Sequence, residues 1–214
     1  MTDDPPGISP RFLSLLAEEG LVDKRVLDLG SGWGRLALAL APSAAHVVGL
    51  ERDPALVKEG RRRAAAAGFQ NVEFHTGDVD RDEYNDWSPD LITAHLCASD
   101  AIVERAGRAL SSGGCLGIVA FHVDQWRETE KVSRFAYDEA RMAAVLDRAG
   151  FSVDVLEVER EVKRFASVEE GLAAAVGLQD KWKTDGRWFR YLRFLEAGGR
   201  TLTRSHLIVK ARRA

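Results

Sequence analysis

The amino-acid sequence predicts an α/β protein with a doubly wound sheet. Three observations carry this prediction. Short apolar runs alternate with segments of helical spacing, the run at 115–122 is apolar enough to be buried on both faces, and a glycine-rich turn follows the first run. Strands separated by helices lie parallel and are joined by right-handed crossovers. Ligands of such sheets bind at the carboxyl ends of the strands, near the point where strand order reverses.

Seven short apolar runs are the predicted strands. In chain order they are residues 26–29, 46–51, 71–75, 90–96, 115–122, 151–165 and 205–211. Several predicted helices have recognisable ends: Ser9 and Pro10 open the first as N-cap and first-turn proline, and Gly68 closes the third. Ser167 and Glu170 form a capping box that opens a later one. The predicted helices cover 10–20, 35–40, 54–67, 101–110, 137–149, 167–181 and 186–197.

Length and composition fit one ordered domain. The chain has 214 residues, of which 45% are hydrophobic and 29% charged, so it can bury a sizeable core. Basic residues outnumber acidic ones after residue 150, but this mild bias in a chain of net charge -3 does not by itself indicate a nucleic-acid-binding protein. Two cysteines are too few for a disulfide framework or a four-cysteine zinc site.

The amino-terminal stretch MTDDPPGISP is acidic and lacks the apolar core of a secretion signal. No apolar run approaches the ~20 residues that a membrane span needs. We therefore expect a cytoplasmic protein with no membrane partner. We expect the whole chain, 1–214, to form a single domain.

The stretch VLDLGSGWGRLAL contains three glycines, Gly30, Gly32 and Gly34, immediately after the first predicted strand. A Walker A loop is excluded because no Lys-Ser or Lys-Thr follows these glycines. A dinucleotide fingerprint needs the spacing G-x-G-x-x-G, and Arg35 stands where its third glycine would fall. The spacing therefore disfavours NAD or a flavin dinucleotide without excluding them.

Each of the first three predicted strands has a carboxylate at or just after its carboxyl end. Asp28, two residues before the first glycine, would repel a pyrophosphate but attract an ammonium group. Glu51 ends the second strand, where a carboxylate can accept both hydroxyls of a ribose. Asp78 follows the third strand and could accept a hydrogen bond from an amino group such as that of adenine. An ammonium, a ribose and an adenine together describe S-adenosylmethionine.

These segments resemble the class I S-adenosylmethionine-dependent methyltransferases. VLDLGSGWG is similar to the family's first motif, VVGLERD to the acidic loop after its second strand, and GDVD to its adenine-contacting loop. PDLITAH resembles the fourth strand, and RALSSGGCLGIVAF the helix, glycine turn and fifth strand. The resemblance covers roughly residues 20–160 and the final strand. It implies a seven-stranded, mostly parallel sheet in which the last strand is antiparallel and lies between the fifth and sixth.

The resemblance also implies S-adenosylmethionine as cofactor and assigns residues to its parts. Asp28, Gly30, Ser31 and Gly32 would face the methionine moiety, and Glu51 would bind the ribose. At the adenine, Arg52 would flank the ring, and Asp78 with the Val79 amide would bind its edge. Ala94, in the fourth strand, would also contact the cofactor. The sequence leaves open whether Trp33 covers the methionine end or packs under the first helix.

Two histidines end predicted strands at the edge where the methyl group should point. His95 ends the fourth strand and His122 the fifth, and either could act as a general base on a hydroxyl or amine. Both could instead be structural. The spacing of His95, His122 and Asp124 gives no support for a metal site. Cys97 is expected to be a plain buried thiol.

A segment at 166–204 separates the last two predicted strands and forms a helical insertion. It mixes aromatic residues with basic ones. The aromatic residues are Trp182, Trp188, Phe189, Tyr191 and Phe194, and the basic residues are Lys181, Lys183, Arg187, Arg190 and Arg193. Such an insertion could cover the acceptor site, pair two subunits or contact an anionic partner. The simplest interpretation is an amphipathic helix with a solvated basic face.

We therefore expect a methyltransferase that acts on a small molecule. The first alternative is an RNA or protein acceptor that binds the basic, aromatic insertion, and the second is a non-catalytic protein that binds S-adenosylmethionine. Nucleic acid is not favoured, because AHLC stands where enzymes that methylate amino groups of nucleic acids carry [DN]-P-P-[FYW]. Exposed aromatic residues in the insertion would suit a homodimer.

Overall fold

The computed structural model describes residues 7–214 of the chain. The acidic stretch that argues against a secretion signal lies largely outside this described part. The chain divides into two compact units. Unit 1 contains residues 7–120, 139–157 and 208–214, and unit 2 contains residues 121–138 and 158–207.

One sheet contains all eight strands found between residues 7 and 214. The strands are β1 Arg25–Leu29, β2 His46–Glu51, β3 Val72–Thr76, β4 Leu91–His95, β5 Cys115–His122, β6 Ala136–Tyr137, β7 Phe151–Arg164 and β8 Thr201–Arg213. Their order is β3-β2-β1-β4-β5-β8-β7, and the two-residue β6 pairs with β5. This order confirms the doubly wound fold, with the last strand between β5 and β7.

Strand directions also follow the prediction. β1 pairs in parallel with β2 on one side and with β4 on the other, so strand order reverses between β1 and β4. β8 runs antiparallel to β7. The Ala214 amide donates to the Gly150 carbonyl at one end of the pair, and the Phe165 amide donates to the Arg200 carbonyl at the other. A doubly wound sheet binds its ligands at the reversal point, which here is the carboxyl end of β1.

The helices are α1 Pro10–Ala17, α2 Arg35–Leu40, α3 Pro54–Ala66, α4 Asp100–Ala109, α5 Glu139–Arg148, α6 Val168–Ala175, α7 Gln179–Asp185 and α8 Arg187–Glu196. Four begin at a side-chain cap, as polar residues in N-cap positions predict. The capping residues are Ser9, Asp53, Ser99 and Ser167. None of the helices in the described part combines the length and apolarity needed to cross a membrane.

Two predicted elements were wrong in detail. Tyr137, expected at the start of a helix, lies in β6, where it is paired with His122, and α5 begins only at Glu139. The helix predicted for 167–181 is interrupted by a 3₁₀ turn at Val176–Leu178. A two-residue strand is too short to show a period of its own. Gly177 explains the interruption, because glycine is a poor helix former.

Each unit has its own apolar core. In unit 1, the buried faces of α1, α2 and α3 pack with β1, β2 and β3, and Phe12, Leu16 and Phe74 are among its fully buried side chains. In unit 2, the core is smaller and aromatic, with Trp182, Tyr191 and neighbouring residues of α6 to α8. The unit 1 core holds the carboxyl ends of β1, β2 and β4 in place.

Candidate active site

The glycine-rich turn after β1 depends on glycine for two reasons. Gly30, Gly32 and Gly34 have φ values of 64°, 57° and 90°, in the left-handed region that side chains disfavour. Space is also limiting at two of them. A Cβ on Gly30 would lie 2.4 Å from the Cys97 sulfur, and one on Gly34 would lie 2.3 Å from Cζ of Phe74. The turn therefore cannot accept larger residues at these positions without moving its surroundings.

A cavity of about 190 Å³ lies against this turn. It contains two buried polar atoms that have no hydrogen-bond partner in the described structure, Oδ2 of Asp28 and Oγ of Ser31. Unsatisfied polar atoms are costly in a protein interior, so their presence indicates a polar ligand. The lining residues are Asp28, Gly30, Ser31, Gly32, Trp33, Arg35, Leu36 and His95.

Asp28 is the most unusual group in the cavity wall. Its side chain is buried, and one carboxylate oxygen accepts a hydrogen bond from the Thr93 hydroxyl at 2.9 Å. Burial raises the pKa of Asp28 to about 7, and the hydrogen bond from Thr93 offsets only part of that rise. A cation in the cavity would satisfy the second oxygen and stabilise the ionised form. An amino group of a ligand fits this requirement.

Glu51, at the end of β2, is held by two backbone amides. One carboxylate oxygen accepts from Gly32 at 3.0 Å and the other from Asp53 at 2.9 Å. The side chain therefore anchors the glycine turn, which the sequence does not reveal. Each carboxylate oxygen can accept a second hydrogen bond, so the group can still receive a diol.

Asp78 and Val79 lie in a turn that follows β3. The Asp78 carboxylate accepts from the Asp80 amide at 3.1 Å, and the Asp78 amide donates to Asp82 at 2.8 Å, so this aspartate caps its own turn. The Val79 carbonyl accepts a hydrogen bond from the Tyr84 hydroxyl. Within the described structure, the Val79 amide has no hydrogen-bond acceptor. A backbone donor of this kind can recognise the edge of a base.

Arg52 and Ala94 flank the site from two different strands. Arg52 follows β2 and its side chain is exposed, so it can lie over a ligand without being displaced from the core. Ala94 is fully buried in β4, opposite Leu29 of β1. Its small side chain leaves room at the carboxyl end of β1.

His95 lies in the cavity wall and is half-buried. Its ring centroid is 6.2 Å from that of Phe12. The next residue, Leu96, has a φ of 57°, which is costly for a residue with a Cβ, and its amide donates to the Val119 carbonyl at 2.7 Å. Such strain is often found where a functional side chain must be directed.

His122 is placed differently, in unit 2, where its side chain is buried. Its Nδ1 accepts from the Asp124 amide at 3.2 Å and lies 3.0 Å from the Ser205 hydroxyl. The Asp124 carboxylate is 3.9 Å from the same nitrogen. A hydrolytic triad uses both ring nitrogens, so this group of Ser, His and Asp is not one. The burial and these hydrogen bonds favour a structural role for His122.

Comparison with known proteins identifies the family of this chain. A family model described as "Methyltransferase domain" matches residues 22–191, which is most of the chain. The chain belongs to the class I S-adenosylmethionine-dependent methyltransferases. Membership of this family implies S-adenosylmethionine as methyl donor, and the unsatisfied oxygen of Asp28 in the cavity fits the amino group of that cofactor.

Solved structures share the fold of the methyltransferase at low sequence identity. The YcgJ protein of Bacillus subtilis has a TM-score of 0.73 and 16% identity, over 96% of this chain and 99% of that one. A phosphoethanolamine N-methyltransferase of Haemonchus contortus, in complex with phosphomonomethylethanolamine and S-adenosylhomocysteine, has a TM-score of 0.63 and 17% identity. That match covers 97% of this chain and 53% of the other.

A sequence relative adds a different acceptor. The 23S rRNA (uracil(1939)-C(5))-methyltransferase RlmD of Klebsiella pneumoniae is 50% identical to the methyltransferase over 60 residues. The match covers 28% of this chain and 14% of RlmD, so the chain spans only a small part of the curated relatives that it matches.

Two other side chains near the cavity of the methyltransferase have clear surroundings. Trp33 is one of the residues that line the cavity, and the Arg63 guanidinium lies 3.9 Å from the centre of its ring. Cys97 is protonated at neutral pH, because burial and nearby Asp80 raise the pKa of its thiol to about 11. No group of metal-binding side chains was found among the residues that the structure describes.

In the basic, aromatic insertion of the methyltransferase, four of the five predicted basic residues are exposed, as a solvated basic face requires, and Arg187 is the exception. Trp182 and Tyr191 are fully buried, and their rings meet edge to face with centroids 5.6 Å apart. The ring of Trp126 packs on Trp182 with a centroid distance of 5.2 Å. Arg187 is also buried, where it pairs with Asp185. The exposed part of the predicted set is smaller. It consists of Lys181, Lys183, Phe189, Arg190 and Arg193.

We expect Asp28→Asn to change how stability depends on pH. The folded-state pKa of about 7 lies above the ordinary value of 3.8, so the folded protein holds a proton that the unfolded chain has lost between these values. The wild-type protein should therefore lose stability relative to the variant as pH rises through this range. Above it, the variant should be more stable by about 2–4 kcal/mol.

Urea denaturation of both proteins from pH 4 to pH 8, without cofactor, measures this difference. Asp86→Asn, a substitution at an exposed position in unit 1, is the matched control and should follow the wild type. A difference between wild type and Asp28→Asn that does not vary with pH would contradict the raised pKa.

Proposed function

We propose that this methyltransferase transfers the methyl group of S-adenosylmethionine to a small molecule. The observation that carries the proposal is the burial of Trp182, Tyr191 and Arg187 in unit 2. Proteins that bind single-stranded RNA need accessible aromatic rings for base stacking and accessible cations for phosphates. In this insertion Trp182, Tyr191 and Arg187 form a core instead, although Trp188 is half-buried and Phe189 is exposed. The phosphoethanolamine N-methyltransferase among the structural neighbours is named for a small acceptor.

RNA is the second candidate acceptor, and the partial match to RlmD is the observation that favours it. Because the match covers a small share of that enzyme, it supports a common local motif more directly than a common substrate. Lys181 and Lys183 on α7 and Arg190 and Arg193 on α8 are exposed cations that an RNA could still use.

We infer that the predicted cofactor residues act as the family resemblance implies. Asp28 would accept the ammonium group, with Gly30, Ser31 and Gly32 around the methionine moiety, and Glu51 would accept the ribose hydroxyls. Arg52, the Asp78 turn and the Val79 amide would surround the adenine end, and Ala94 would contact the cofactor from β4. When bound, S-adenosylmethionine supplies an electrophilic methyl group on a sulfonium. The protein's part is to align that methyl group with the nucleophile and to exclude water.

We expect Glu51→Ala to weaken S-adenosylmethionine binding by about 1.5–3 kcal/mol, the range for losing a hydrogen bond to a charged group. The variant also frees the Gly32 amide, which adds to the loss. Isothermal calorimetry with S-adenosylmethionine, S-adenosylhomocysteine and NAD gives the affinities. Glu104→Ala, on an exposed position of α4, is the control and should bind as the wild type does.

Unchanged affinity in Glu51→Ala would contradict the ribose assignment. Binding of NAD in preference to both sulfur compounds would contradict the assignment of the whole site.

We infer that His95 is the general base when the nucleophile of the acceptor carries a proton. The support is its position in the cavity wall next to Asp28 and the glycine turn. A base takes the proton of the attacking group and so lowers the barrier to methyl transfer. A general-base role for His122 stays a second prediction from the sequence. The burial of its side chain disfavours that role.

We expect His95→Asn to reduce turnover by about 10²-fold or more, as the loss of a general base does, while cofactor affinity stays unchanged. A panel of small amines, phenols and carboxylates is first screened for the best acceptor. The rate of S-adenosylhomocysteine release with that acceptor then measures turnover. His122→Asn is the comparison, and its main effect should be a lower melting temperature. Full turnover in His95→Asn would contradict the role of His95 as general base. Catalysis would then depend on alignment of the methyl group with the nucleophile alone.

We expect the double variant Arg190→Glu and Arg193→Glu to keep the turnover of a small acceptor. Both residues are exposed on α8, so the change should not disturb the core of unit 2. Transfer of radioactive methyl groups to a small-molecule extract and to total RNA measures the two activities in parallel. Transfer to RNA in the wild type, lost in the double variant, would contradict the small-molecule proposal and support the second candidate.

A further inference from the structure

Trp33 lies between two left-handed glycines in the turn that borders the cavity. Gly32 has a φ of 57° and Gly34 a φ of 90°. Glycine restricts its neighbours less than other residues do, so the backbone on both sides of Trp33 has little intrinsic preference for one direction. Trp33 nevertheless contributes to the cavity wall. Something outside the turn must therefore hold the ring.

The outside contact is Arg63, which is not one of the residues that line the cavity. Its guanidinium carbon lies 3.9 Å from the centre of the Trp33 ring, a distance typical of a cation stacked on an aromatic face. Arg63 belongs to α3, and 30 positions in the sequence separate it from Trp33. A guanidinium is flat and weakly hydrated, so it suits this contact better than an ammonium does.

The guanidinium is itself fixed from the same helix. Its Nε donates to the Glu59 carboxylate at 2.7 Å, four residues earlier on α3. Arg62 donates to the same carboxylate, and these two partners lower the pKa of Glu59 to about 2, so the group stays ionised at neutral pH. One edge of the guanidinium is thereby held by Glu59, and its face remains for the indole.

Two consecutive residues of the turn are thus held by partners outside it. The Gly32 amide donates to Glu51 at the end of β2, and the Trp33 ring stacks on Arg63 of α3. The first contact fixes the backbone of the turn, and the second fixes the side chain of Trp33, a residue of the cavity wall. The two contacts use different atoms and different elements of the fold.

We propose that Arg63 is a positioning residue for the cofactor. Its guanidinium, stacked on Trp33, keeps the indole in the cavity wall and so raises the affinity for the methionine end of S-adenosylmethionine. The inference rests on the proposed function, because it takes this cavity as the site of that end. Arg63 itself makes no contact with the cofactor in this proposal.

The test is a double-mutant cycle on binding, measured by calorimetry with S-adenosylmethionine. Arg63→Ala should weaken binding by about three- to tenfold, the equivalent of one cation–π contact. Arg62→Ala is the matched control, since it removes a neighbouring arginine with the same carboxylate partner, and it should stay within about twofold of the wild type. In a Trp33→Leu background, Arg63→Ala should have no further effect, because its partner is already absent.

Two more measurements separate positioning from general stability. Arg63→Lys keeps the charge but not the flat group, so it should bind with an affinity between those of Arg63→Ala and the wild type. The change in tryptophan fluorescence on binding should shrink in Arg63→Ala but not in Arg62→Ala, while both variants keep the wild-type melting temperature within a few degrees.

Equal affinity of Arg63→Ala and the wild type would overturn the proposal, as would the same loss in the Trp33→Leu background. Both results leave the proposed function intact, provided that the wild type binds S-adenosylmethionine and that Glu51→Ala binds it more weakly than the wild type does. If the wild type shows no binding of S-adenosylmethionine, the proposed site and this inference both fail.

Discussion

The hydrogen bond from the Gly32 amide to the Glu51 carboxylate connects the two strands on which the site depends. β1 and β2 are neighbours in the sheet, and the chain leaves β1 through a turn that only glycine can form at Gly30 and Gly34. A turn with this much backbone freedom needs an external partner to define it. Glu51 is that partner, and the same side chain is the proposed ribose ligand. The shape of the turn and the recognition of the cofactor therefore depend on one carboxylate.

The polar groups of the chain are used in two different ways. In unit 2, some buried polar side chains are satisfied internally: Glu128 accepts from Thr201 and Thr203, and Gln125 accepts from the Ser205 amide, whereas Nε1 of Trp182 and Nε of Arg187 have no partner in the described structure. Around the glycine turn of unit 1, Asp28 and Ser31 each keep an unsatisfied atom. The two unsatisfied atoms at the glycine turn border a cavity, where a polar ligand can reach them.

Much of the fold could be predicted because its signals are local. Caps such as Ser9 and Asp53, glycines at helix ends and apolar runs depend on neighbours within a few residues, and the glycine turn with Asp28 and Glu51 follows directly from the spacing. The remaining features depend on distant partners. Arg187 resembles a surface cation in the sequence, but it is buried because Asp185 and the Lys131 carbonyl surround it. His122 lies 83 positions from Ser205, and periodicity contains no information about such a contact.

The buried carboxylate of Asp28 also has a consequence for the proton balance of binding. Near pH 7, close to its pKa in the free protein, a substantial share of the molecules carry the proton on this group. If the ammonium of the cofactor pairs with the ionised form, as proposed, those molecules must release that proton to the solvent when the cofactor binds. The heat of binding then includes the heat with which the buffer takes up the proton. Two buffers of different ionisation enthalpy would therefore give different apparent enthalpies for the same complex, and the difference counts the protons released.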